Sequence, residues 1–129
     1  MKPKEIGPHE GIELDLMLEN KKPLAFFSGL GDEIKLFPID AFDNLVKQNR
    51  LVSKKYFFKK NVYGKELDEF LIYYALPNET HRIDKLNKIM LDLRENPRFD
   101  KDIEQEIGLL LGYSKHEISV YIKWATEKA

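Results

Sequence analysis

Between Glu104 and Ile122 the chain reads EQEIGLLLGYSKHEISVYI, and this stretch fixes the backbone more tightly than any other. Gly112 stands where a helix would end in the left-handed region, the conformation that glycine adopts without steric penalty. Two residues later, Ser114 and Glu117 form an S-x-x-E capping box, in which each side chain satisfies a backbone N–H of the next helix. Tyr113 before the cap and Ile118 after it hold the positions of a hydrophobic staple. Gly108, one turn before Gly112, removes a side chain where two helices would cross. A helix, a tight corner and a second helix are therefore expected.

The rest of the chain supplies the partners for that corner. Leu24–Phe27 is a short apolar run of strand type, and the turn-forming Ser28-Gly29-Leu30-Gly31-Asp32 follows it. Ile34–Phe37 suggests a second short strand. Leu51–Lys60 and Glu66–Leu76, rich in Val, Phe and Tyr, read as two strands joined by a turn around Asn61-Val62-Tyr63-Gly64. Helices are expected over about Glu10–Asn20 and Pro38–Arg50. After Pro77 the spacing is helical to the end. Ile83, Leu86, Met90 and Leu93 mark one helix, Asn96-Pro97 stops it, and Asp100 caps the next. The fold class is α+β: a small, mainly antiparallel sheet of three to four strands with about five helices, the last three C-terminal. A length of 129 residues, with no evident linker or repeat, suits a single globular domain over 1–129.

Composition narrows the function classes. With 21 basic and 22 acidic side chains, the chain has no overall field to attract nucleic acid or an anionic membrane. It contains no cysteine, so disulfides, thiolate metal sites and cysteine nucleophiles are excluded. No run approaches the ~20 apolar residues of a membrane span, and residues 1–11 lack a signal-peptide pattern. A cytoplasmic protein is expected.

The Gly108, Gly112, Ser114, Ile118 and Ile122 pattern resembles the helix-turn-helix family, whose second helix lies in the major groove of DNA. The resemblance covers only this C-terminal segment. It implies that Lys115, His116, Ser119 and Lys123 would form the DNA-facing side. Charge argues against that use, because residues 98–129 hold five basic and six acidic side chains and phosphate neutralisation supplies much of DNA affinity. Capping and close packing explain the same spacing without DNA.

Lys54-Lys55-Tyr56-Phe57-Phe58-Lys59-Lys60 interleaves lysine and aromatics as single-strand platforms do. Glu66, Asp68 and Glu69 on the neighbouring strand would pair with those lysines instead. His9 and Glu13 share a helical face but make two ligands, too few for a metal site. Ser28-Gly29-Leu30-Gly31 lacks the remaining residues of a phosphate loop. No serine lies in a nucleophile context, and no metal or cofactor is called for. The segment most suited to a site is the junction from strand to helix, where Tyr73, Tyr74, His81 and Arg82 gather around a proline turn.

These features together describe a small soluble binding or regulatory module acting through another protein, with no catalytic signature. The alternative is a DNA-binding regulator using 104–122. A small enzyme with a site scattered in sequence ranks third.

Overall fold

A computed structural model describes residues 8–128. Apart from Pro8, the irregular lead-in expected over residues 1–8 lies outside the described residues. The elements run α1 (Glu13–Leu18), β1 (Leu24–Leu30), a 3-10 helix (Gly31–Leu36), α2 (Ile39–Lys47), β2 (Val52–Val62), β3 (Lys65–Ala75), a short 3-10 turn (Pro77–Glu79), α3 (His81–Glu95), α4 (Lys101–Leu110) and α5 (Lys115–Lys128). The class is α+β, with one three-stranded antiparallel sheet in the order β1-β3-β2 and three C-terminal helices. The chain divides into two compact units, Leu24–Ile83 and the remainder.

In the first unit, β3 is the central strand and carries the apolar run Phe70–Ala75, all of it buried. Its side chains alternate between faces. Tyr74 stacks on Phe42 of α2 (ring centroids 4.6 Å apart), while Tyr73 stacks on Phe26 (4.9 Å). Tyr63 and Gly64 link β2 to β3 with positive φ angles of 51° and 79°, as a two-residue type I′ hairpin requires. Asn61 Oδ1 accepts the Gly64 N–H at 2.9 Å and holds the turn.

Two expectations need correction here. In place of the strand expected over Ile34–Phe37, Ile34–Leu36 belongs to the 3-10 helix and only Phe37, its cap, is extended. Gly31 turns the chain with φ +54°, and the Glu33 carboxylate accepts the Leu30 N–H at 2.6 Å, which favours a helical turn over an extended segment. The hairpin lysines also pair less uniformly than their neighbours suggested. Lys59 meets Asp68 directly across the ladder at 2.6 Å. Lys55, opposite Ile72, instead reaches Asp43 of α2 at 2.7 Å.

The second unit begins with α1, shorter than the expected Glu10–Asn20 because Gly11 lies at φ +83° just before it and Asn20 at φ +59° just after. α1, α2 and α4 end alike. The residue past the cap is left-handed (Asn20, Asn49, Gly112), and paired 5→2 and 6→1 hydrogen bonds close the last turn, as in the Schellman motif. Asp100 caps α4, with Oδ1 accepting the Asp102 and Ile103 N–H groups at 2.9 and 3.2 Å.

The α4–α5 corner forms as its spacing requires. Gly112 has φ +89°. The Ser114 N–H donates to Glu117 Oε1 at 2.7 Å, and the Glu117 N–H donates to Ser114 Oγ at 3.1 Å. Ser114→Ala should therefore cost about 1 kcal/mol of folding stability. Urea unfolding would check this, with Ser114→Asp expected to avoid most of the loss.

Candidate functional site

A buried charge lies beside the corner. Lys22 follows α1 and is 2% exposed, an unusual place for an ammonium group unless it is well partnered. Its Nζ donates to the Leu111 carbonyl, the cap of α4, at 2.6 Å and contacts His9 Nδ1 at 2.9 Å. It also lies 4.9 Å from the centroid of the Tyr113 ring. Tyr113 stacks on His9 with ring centroids 4.0 Å apart. An ammonium has only donors, so His9 must accept through Nδ1 and carry its proton on Nε2.

The titration behaviour follows from this packing. Burial, then the Lys22 charge, lowers the His9 pKa to about 4. Burial lowers Lys22 itself to about 8, against the opposing pull of Glu13 and Glu117. Burial pushes the Tyr113 hydroxyl up to about 12. Because folding lowers the His9 pKa, the unfolded chain binds the proton first, and stability falls as pH drops from about 6.5 towards 4. With a discount for the partial exposure of His9, the loss between pH 7 and 5 is about 1 kcal/mol. Urea titrations across that range would measure it, and His9→Asn should flatten the slope.

Next to this cluster is a cavity of about 190 Å³ in the crook of α4 and α5. Ile107, Gly108, Leu111 and Ile118 supply its apolar surface, Tyr113 and Tyr121 its aromatic surface, and Glu10, Glu104 and Glu117 its carboxylates. Gly108 shapes it, since a Cβ there would come within 2.6 Å of Ile118 Cγ1. A second, larger groove of about 460 Å³ is lined by Lys101, Gln105, Lys115, Ser119, Lys123 and Thr126, among others. The helix pair thus sorts its charge. Glu104 and Glu117 line one depression, and three lysines line the other.

Sequence-derived candidates are distributed unevenly over this arrangement. Lys115, Ser119 and Lys123 come together in the basic groove, joined by Lys101, while His116 does not line it. Tyr73 and Tyr74 are fully buried and offer no surface to a ligand. The Tyr74 hydroxyl donates to Asp43 Oδ1 at 2.7 Å, and burial followed by that bond holds its pKa well above the usual tyrosine value. Arg82 Nε donates to Glu79 at 2.6 Å, with His81 3.7 Å from the same oxygen. The expected junction site is therefore a pair of core tyrosines beside a local ion pair. His9 faces Lys22, and Glu13 accepts the Gly11 N–H at 2.9 Å, so the two are engaged separately. Gly29 is a packing position: a Cβ there would meet Phe70 Cζ at 2.9 Å.

Lys22, Tyr113, Glu104 and Tyr121 were not singled out as site residues from sequence. The available signal was helical spacing, which sets Glu117 and Tyr121 on one side of α5 and Lys115, Ser119 and Lys123 on another. Comparison with protein-family models, curated proteins and solved structures found no match. No helix among the described residues is long and apolar enough to cross a membrane.

Proposed function

We propose that this chain is a small binding module that recognises another protein through the α4–α5 corner, in the cytoplasm. The observation that carries the reading is the cavity itself, with apolar walls, two tyrosines and a carboxylate rim on a corner braced from within by Lys22. Aromatic residues over an apolar floor are the usual anchors of protein interfaces. A rigid corner also loses little entropy when a partner docks.

Site-specific photo-cross-linking tests the reading. A photoreactive residue at Tyr121 should yield a discrete protein adduct in native extract, while one at Tyr63 on the hairpin should not. Equal, diffuse labelling from both positions would remove the support.

A second reading has its own observation. Lys101, Lys115 and Lys123 share one groove, so the local field there differs from the net charge of the segment, and a phosphate backbone would suit it. Protein recognition leads because carboxylates flank the same helix pair. On that reading, titration with random duplex DNA at low salt should give no micromolar complex. A complex weakened by Lys115→Ala and Lys123→Ala would favour the second reading.

A further inference from the structure

The cavity in the crook of α4 and α5 has the half-buried carboxylate of Glu104 in its wall. Among the described residues its lining includes Glu104 and Glu117 and no lysine, arginine or histidine. Glu104 is half-buried, and its carboxylate has no hydrogen-bond or ion-pair partner among the described residues. Burial alone pushes its pKa upward. Glu117 commits Oε1 to the Ser114 N–H, which leaves Oε2 available. The nearby Lys22 ammonium acts on Glu13 and Glu117, so it does not relieve Glu104.

We infer that this cavity receives a single basic side chain, arginine or lysine, from the partner protein; the assignment rests on the protein-recognition reading above. The methylene stem would lie along Ile107, Leu111 and Ile118, and the cationic head would meet Glu104 beside Tyr121. A cation in that position is attracted by the carboxylate and by the ring, and both attractions strengthen as water leaves. An uncharged apolar group would bury Glu104 further with nothing in exchange. A phosphate would face the carboxylates of Glu104 and Glu117. A metal ion fits poorly, because no group of three His, Asp or Glu side chains among the described residues could hold one. The volume of about 190 Å³ suits one side chain rather than a helix or strand.

The test is an NMR titration of the full chain with N-acetyl-arginine methylamide, beside its citrulline counterpart, which has nearly the same shape without the charge. Arginine should give saturable shifts at the Gly108 and Ile118 amides, and citrulline should give none. Glu104→Gln should weaken arginine binding about tenfold, while Lys101→Gln in the opposite groove should leave it unchanged. The Glu104 side chain makes no hydrogen bond to the described residues, so the variant should remain folded, and its unchanged spectrum elsewhere would show this. Equal responses to citrulline, indifference to Glu104→Gln, or no saturable response to arginine would each overturn the inference. So would a partner cross-linked at Tyr121 whose contact segment has no basic residue, with protein recognition left standing. Saturable arginine binding with no cross-linked protein would instead overturn the recognition reading, and with it the assignment to a partner.

Discussion

Gly112→Ala is expected to destabilise the fold by about 2–4 kcal/mol, a large effect for a single methyl group. Two costs combine. The backbone is held at φ +89° by the hydrogen bonds that close α4, a conformation that any L side chain resists. A Cβ at that position would also lie 2.5 Å from Pro23 Cδ, a ring that cannot rotate away. The comparison that isolates the second cost is Asn49→Gly. Asn49 holds the equivalent place after α2 at φ 61°, and the change there should stay within about 0.5 kcal/mol. Equilibrium unfolding of the two variants would decide. A Gly112→Ala variant as stable as the parent would mean that α4 and α5 do not meet at this corner.

Lys22→Ala should cost about as much, roughly 2–4 kcal/mol, because it orphans the Leu111 carbonyl and opens a void beside His9 and Tyr113. Lys22→Met should cost less. It fills most of the space and removes a charge whose burial is itself unfavourable. The two variants also carry a pH signature. Folding lowers the Lys22 pKa from 10.5 to about 8, so above pH 8 the native state releases its proton while the unfolded chain still holds one. Stability from this residue therefore rises with pH, by about 1–2 kcal/mol between pH 8 and 9.5. Higher pH would confuse the measurement, since the buried tyrosines then begin to favour unfolding. The rise should vanish in both Lys22 variants. If the parent shows no rise, the ammonium is not held as described.

Why the corner was legible from sequence and its bracing was not comes down to range. Gly112, Ser114 and Glu117 act on backbone groups within a few residues, so their spacing alone specifies the geometry. The aromatic and β-branched runs marked β2 and β3 for a similar reason, since each residue suits a pleated surface wherever its partner lies. The bond from Lys22 to Leu111 joins residues 89 positions apart, and nothing local distinguishes Lys22 from Lys21 beside it. Tyr73 and Tyr74 misled because an aromatic pair next to a proline turn looks the same whether it faces solvent or the core. Counting charge over residues 98–129 likewise averaged two depressions of opposite sign into a near-zero total. The 3-10 helix was missed because Glu33 closes it with a side-chain bond that a hydrophobic pattern does not reveal.

The close approaches at the corner also limit how this chain can change over generations. A side chain at position 108 has no room unless Ile118 shrinks, and one at position 112 has none unless Pro23 gives way. Such positions should drift only in pairs, with a first step that is costly alone and a second that restores fitness. Descendants could replace much of the surface and still carry the two glycines four residues apart, so ancestry would remain readable in coupled pairs long after overall resemblance had gone.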